Sequence, residues 1–221
     1  AAPGYAPAVT AQARLLAERG DTASARRMLR ELLDRDPSHA PAWALQGNLL
    51  SLPPPALDEA VNAYRKALAL RGRLIEAHGG LVVALLRQRD LDAARAQVAA
   101  MSKALPASPA SLYFQALLAF QAGELQRARE LTDLLDRSAS ANPQVLLLAA
   151  MIHQGLGHLE QAETLLTRAN ALAPDMVEPR RELARLLVRR GQSTRALELL
   201  GPLLGAQSSD AEALSIAGKA Y

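Results

Sequence analysis

Six alanines recur through this chain at nearly constant spacing: Ala25, Ala60, Ala94, Ala128, Ala162 and Ala196. The first step is 35 residues and each later step is 34. A second set, mostly small residues, precedes the first by about half a repeat: Ala13, Gly47, Val82, Ala116, Ala150, Ala184 and Gly218. A fixed period of this length constrains the fold more tightly than any short motif. Each repeat is one supersecondary unit that buries its apolar face only by stacking on its neighbours.

Between the two sets lies a breaker followed by a polar residue: Gly20-Asp21, Arg89-Asp90, Gly123-Glu124, Gly157-His158 and Gly191-Gln192. Pro37, Pro106 and Pro174 mark repeat ends, and Gly72, Ser140 and Ser208 hold the equivalent place elsewhere, with Pro143 close behind Ser140. Within each half-repeat the apolar residues follow a 3.6 period, as in Leu183, Leu186, Leu187 and in Leu197, Leu200, Leu203, Leu204. Each unit therefore reads as helix A, a tight turn, helix B and a turn to the next unit. Glycine at the turn permits the left-handed backbone that ends helix A. The small residues let the two axes approach closely. Ala and Leu supply most of the apolar content while only 3% of residues are aromatic, so the chain is rich in helix formers and poor in strand formers.

The pattern resembles the tetratricopeptide repeat, whose 34-residue unit carries W-x-x-L-G-x-x-Y, then A-x-x-x-F, then A and P. The second unit reads Trp43-x-x-Gln46-Gly47-x-x-Leu50, then Ala60-x-x-x-Tyr64-x-x-Ala67. The fifth reads Leu146-x-x-Ala149-Ala150-x-x-His153, then Gly157, Ala162-x-x-x-Leu166-x-x-Ala169 and Pro174. The resemblance implies an all-α fold, a right-handed superhelical solenoid of about thirteen helices in antiparallel pairs. The predicted units are 6–39, 40–74, 75–108, 109–142, 143–176 and 177–210, after a tail at 1–5 and before a first helix of a seventh unit at 211–221. The departures are local. The second unit has one extra residue and the turn Ser51-Leu52-Pro53-Pro54-Pro55, where three prolines must end helix A. The third has Val82 at a usually small position, just after His78-Gly79-Gly80, which predicts slightly wider packing.

A narrower resemblance rests on Leu112-Tyr113-Phe114-Gln115-Ala116-Leu117-Leu118-Ala119 through Gly123-Glu124-Leu125, and on the run from Arg180 to Gln192. These stretches are similar to the TPR-repeat (PrsT-like) lipoproteins of bacterial exosortase, or PEP-CTERM, exopolysaccharide systems. That resemblance implies a role in exopolysaccharide assembly or export, or in surface-protein sorting, at a periplasmic or outer-membrane location; without it a cytoplasmic one is expected. Members of that family carry a lipidated Cys at the mature start. This chain has no Cys, as expected of an internal fragment.

The residues that carry chemistry are sparse. With no Cys there is no disulfide framework, zinc ribbon or thiol nucleophile. The histidines are His39, His78, His153 and His158; the last two are five apart with Gly157 between them, so they share no helix face. His39 and His158 read as turn residues, His78 and His153 as helix positions. His78-Gly79-Gly80 resembles an oxyanion-hole loop, yet no G-x-S-x-G accompanies it, and glycine there more simply lets helices approach. No phosphate-cradling glycine motif occurs. Glu59, Glu124 and Glu160 sit at the starts of B helices, where they suit the helix dipole. No catalytic residues, cofactor or metal are expected. The net charge of +3 does not point to nucleic acid, and no apolar run approaches the roughly 20 residues of a membrane span.

What remains is a surface. The resemblance implies that helix A lines a concave groove, with exposed positions that include Val83 and Leu86, then Tyr113, Leu117 and Phe120, then Leu147 and Met151. Apolar side chains at solvent-facing positions mark an interface. Arg181, Arg185 and Arg189 follow at i, i+4, i+8, a stripe for an acidic peptide or an anionic saccharide unless Glu178 and Glu182 neutralise it. The expected function is a non-catalytic scaffold holding a peptide or helix in this groove. The alternative is an accessory domain of a larger enzyme whose catalytic part lies elsewhere. A carboxylate-clamping co-chaperone adaptor would need Lys and Asn at groove positions, and only Asn48 qualifies. The chain is expected to be a piece of a longer solenoid with a self-associating C-terminal end. There Leu214, Ala217, Gly218 and Tyr221 await a helix B, and Ala213, Ile216 and Ala220 add apolar area to the uncovered side.

Overall fold

The computed structural model describes residues 5–106, 108–139, 142–204 and 210–220. Among these there are thirteen α-helices and no strand. They are α1 (Tyr5–Glu18), α2 (Thr22–Arg35), α3 (Ala40–Leu50), α4 (Leu57–Leu70), α5 (Ile75–Arg87), α6 (Leu91–Ala104), α7 (Pro109–Gln121), α8 (Leu125–Ala139), α9 (Pro143–Gly155), α10 (Leu159–Leu172), α11 (Val177–Arg189), α12 (Ser193–Leu200) and α13 (Ala211–Ala220). Ser140, Ser208 and Tyr221, given roles above, lie outside the described residues. Tyr5 opens α1 rather than belonging to a tail. The chain divides within α7 into two compact units, Ala1–Phe114 and Gln115–Tyr221.

The repeat logic is visible in burial. All six periodic alanines, Ala25 through Ala196, are fully buried, as are Ala13, Val82, Ala116, Ala150 and Ala184 of the other set. In the first unit α1 packs on α2, α3 on α4 and α5 on α6, and each pair packs on the next through α2–α3 and α4–α5. In the second unit α8 packs on α9, α9 on α10, α10 on α11, and α11 on α12 and α13. The short connections return successive helices antiparallel.

The turns follow from backbone chemistry. Gly20, Gly123, Gly157 and Gly191 take φ between +71° and +86°. Arg89 takes the same place at φ +63° without glycine's freedom. Asp21 and Asp90, the polar residues that follow two of these breakers, accept the backbone N–H groups of Ser24 and Ala93 and so cap α2 and α6.

One helix is shorter than its periodicity predicts. Leu197, Leu200, Leu203 and Leu204 read as one helical stripe, but α12 ends at Leu200 and Gly201–Leu203 forms a single 3-10 turn. Pro202 lacks an N–H and its ring would clash with the preceding turn of an α-helix.

The glycines of α5 admit aromatic rings. A β-carbon at Gly80 would lie 2.4 Å from Tyr64 Cε1, and one at Gly79 would lie 3.1 Å from Phe114 Cε2. His78 has a partner on each ring nitrogen. It is buried, with Nε2 2.9 Å from the Gly72 carbonyl and Nδ1 2.7 Å from Gln97 Nε2.

Candidate partner-binding surface

The candidate residues stand on first helices of the pairs, and each unit carries its own group. In the first unit, Val83 and Leu86 lie one turn apart on α5, and Tyr113 follows at the start of α7. Val83 is 44% exposed, a large fraction for a branched apolar side chain flanked by the fully buried Val82 and Ala84. Leu86 and Tyr113 are half-buried. Tyr113 meets Phe114 edge to face, with ring centroids 5.2 Å apart, and burial raises its phenol pKa above the ordinary value.

In the second unit, Leu117 and Phe120 are half-buried on the later part of α7, and Leu147 and Met151 are half-buried at i, i+4 on α9. Leu147 packs partly against the apolar core built from α9 to α13. These four side chains are thus less available than Val83.

The arginine stripe does not present three open cations. Arg181 Nη2 lies 2.7 Å from Asp210 Oδ2, and its Nη1 lies 3.0 Å from Glu212 Oε2. Arg185 pairs with Glu182 on its own helix and with Glu212. Arg189 donates to the side-chain oxygen of Gln154. The Arg181–Asp210 hydrogen bond raises the Arg181 pKa. The reverse holds for Asp210: the backbone N–H of Ala213 first, then Arg181, holds its carboxyl below the usual value. Two of the three guanidiniums therefore tie α13 to α11. The acidic partner anticipated for this stripe is already supplied by the chain itself. The signal for it lay in Asp210 and Glu212, whose pairing is invisible to i, i+4 reasoning because it spans 27 to 31 residues.

α13 presents a different face from the one expected. Ala213, Ile216 and Ala217 are buried against the core of the second unit, so they are not on an uncovered side. The exposed apolar residue is Leu214, at 49%. A helix with Ala213, Ile216 and Ala217 on one stripe buries that stripe against α11 and α12 first.

His153 and His158, which share no helix face, are brought together by the turn, with Nδ1 atoms 3.3 Å apart. Burial, followed by the neighbouring His158, lowers the His153 pKa, while Asp133 acts in the opposite sense. No group of three His, Cys, Asp or Glu side chains suited to a metal occurs among the described residues. None of the described helices is long and apolar enough to cross a membrane.

Buried small residues at a 34-residue period, in helix pairs joined by left-handed turns, already limit the family. Three tetratricopeptide repeat models match residues 6–49, 80–143 and 153–220. The chain belongs to the tetratricopeptide repeat family. Its fold is similar to a chain of the APC/C hetero-tetramer Cut9-Hcn1, at TM-score 0.84 and 17% identity, covering 99% of this chain and 43% of that one. PilF of Pseudomonas aeruginosa is similar at TM-score 0.71 and 19% identity, with 97% of both chains covered. In sequence, the tetratricopeptide chain is 28% identical over 236 residues to cellulose synthase operon protein C of Pseudomonas fluorescens. That match takes in 99% of the chain but 18% of the relative's length. The architecture is that of a scaffold suited to protein–protein interaction.

Proposed function

We propose that this chain is a non-catalytic scaffold that holds a helix or an extended segment of a protein partner in the groove lined by its first helices. The observation that carries this reading is the exposure of Val83 beside half-buried Leu86 and Tyr113, an apolar face in a fold whose family works by binding peptides. In the second unit Leu117, Phe120, Leu147 and Met151 offer shallower apolar contacts, and Arg189 the outermost cation of its stripe. Arg181 and Arg185 leave the binding set, since carboxylates of α13 and Glu182 engage them.

The system we propose is bacterial exopolysaccharide assembly or export, with the chain at the periplasmic face. The likeness to cellulose synthase operon protein C supports the polysaccharide part of this reading, and the exosortase-system words near Tyr113 and Arg185 support the narrower family. A second contact belongs to the same proposal: exposed Leu214 on α13 gives the chain a weak self-associating face. Sedimentation should show a concentration-dependent mass that Leu214→Lys removes.

The experiment for the main reading places a photo-crosslinking residue at Val83 or, as a control, at exposed Leu172 on α10, in cells making the polysaccharide. The expected result is a crosslink from Val83 to a protein of the polysaccharide synthesis or export machinery, absent from Leu172 and abolished by Tyr113→Asp. Equal crosslinking from both positions, or a chain confined to the cytoplasm on fractionation, would overturn it.

A further inference from the structure

α4 gives way to α5 through the turn Arg71-Gly72-Arg73-Leu74, which departs from its counterparts in the chain. The turn after α2 reads Asp36-Pro37-Ser38-His39, and the turn after α10 reads Ala173-Pro174-Asp175-Met176. Both carry an aspartate, where the α4–α5 turn carries two arginines. Its shape is fixed. The Arg71 N–H donates to the Ala67 carbonyl at 2.9 Å, and the Leu74 N–H donates to the Arg71 carbonyl at 3.1 Å. From inside, buried His78 holds the Gly72 carbonyl. A carbonyl only accepts, so the ring carries its proton on Nε2, and Nδ1 accepts from Gln97.

Two aliphatic side chains flank this turn in the open. Leu70, the last residue of α4, is 47% exposed, and Ile75, the first of α5, is 48% exposed. Four cations stand with them: Arg65 and Lys66 on the last two turns of α4, and Arg71 and Arg73 in the turn itself, all exposed. Between positions 65 and 76 the one carboxylate is Glu76. None of the three arginines pairs with a carboxylate among the described residues. Lys66 Nζ lies 4.2 Å from the centre of the Trp43 ring, which puts the chain's one tryptophan, half-buried in the first turn of α3, at the edge of the same patch.

We propose that the α4–α5 turn is a docking point for an anionic lipid surface, with Leu70 and Ile75 entering the acyl boundary and the four cations meeting the headgroup phosphates. Charge alone would suit any polyanion. The aliphatic pair decides between them, because a polysaccharide or a nucleic acid would leave Leu70 and Ile75 in water. A lipid surface takes both kinds of side chain, cations at the headgroups and apolar groups just beneath. Arginine and lysine stems lie along apolar surface while their charged ends stay in the polar layer. A tryptophan at the rim fits the same boundary, where indoles concentrate. A turn between two helices is also a projection, which suits a flat surface. Val83 and Leu86, proposed above to face a protein partner, lie on the later half of α5. The lipid contact therefore adds to the scaffold function and does not rest on it.

Flotation of the whole chain with vesicles tests this, using phosphatidylglycerol mixed with phosphatidylcholine against phosphatidylcholine alone. The expected result is binding to the mixed vesicles only, weakened by salt. One basic residue near an anionic surface contributes about fivefold in affinity, so Arg71→Gln with Arg73→Gln should lose roughly 25-fold. Leu70→Ser with Ile75→Ser should also weaken binding, while the salt dependence remains. Leu172→Ser removes a similarly exposed leucine from the end of α10 and should bind as wild type does. All five substituted side chains are exposed, and thermal melts confirm that the variants fold. Equal binding to phosphatidylcholine alone, unchanged binding in either double variant, or an equal loss in Leu172→Ser would overturn the proposal. So would a polyglutamate peptide that binds through Arg71 and Arg73 while vesicles do not, which assigns the turn to an acidic protein.

Discussion

The ring of Tyr64 on α4 occupies the space that a β-carbon at Gly80 on α5 would need. The distance from that β-carbon to Cε1 would be 2.4 Å, and on the other side a β-carbon at Gly47 of α3 would lie 2.6 Å from the same atom. Tyr64 is 2% exposed and its hydroxyl donates to Asn48 Oδ1 at 2.8 Å, so the ring cannot swing away without losing both packing and that bond. Gly80→Ala should therefore cost about 1–3 kcal/mol, the usual range for overpacking. Urea denaturation reads this directly. A variant as stable as wild type would show that the ring yields freely.

Arg89 offers the opposite opportunity. It holds the left-handed position that glycine holds in four other turns, and an L residue there is disfavoured by about 1–2 kcal/mol. Glycine loses more entropy on folding, which offsets part of the gain. Arg89→Gly should stabilise the protein by up to about 1 kcal/mol, measured as a raised denaturation midpoint with an unchanged slope.

Arg185→Glu should loosen α13. The substitution places a third carboxylate beside Glu182 and Glu212, both of which now pair with the guanidinium. On the face of the sequence alone, Arg185 stands on a solvated stripe and its exchange should leave folding untouched. The structure reverses that expectation. Hydrogen exchange should rise across Ala211–Ala220 and stay unchanged in α1 to α6 of the other unit.

The Asp210 contact gives α13 an acid dependence. Its carboxyl pKa is depressed in the folded chain, by the Ala213 N–H first and by Arg181 next. A depressed carboxyl contributes stability that is present above its unfolded pKa and is lost as the pH falls through the folded value. Asp210→Ala should therefore increase fraying of α13 at neutral pH. The difference from wild type should shrink as the pH falls below the ordinary carboxylate value and vanish only below the depressed value of the folded chain. A difference that does not shrink on acidification would assign the effect to something other than this charge.

The residues themselves determine a great deal here, and for a physical reason. A solenoid unit touches only its neighbours, so the rules that build it are local and repeat in the sequence. Ala162 is fully buried and Gly157 is left-handed because every unit needs a close contact and a tight turn at those phases. The buried face of α5 was legible in the same way, since glycines at 79 and 80 mark close approach.

Tertiary structure decides what the period does not repeat. The stripe of Arg181 and Arg185 looks solvated on its own helix, and its partners arrive from a helix 27 to 31 residues later. Which stripe α13 buries depends on the surface that α11 and α12 offer, and they take Ala213 and Ile216 while leaving Leu214 outside. The meeting of His153 and His158 depends on how one turn aims two rings, which a spacing of five residues across a glycine leaves undetermined. Repetition encodes contacts between like neighbours. Contacts between unlike side chains are set only when the helices have been stacked.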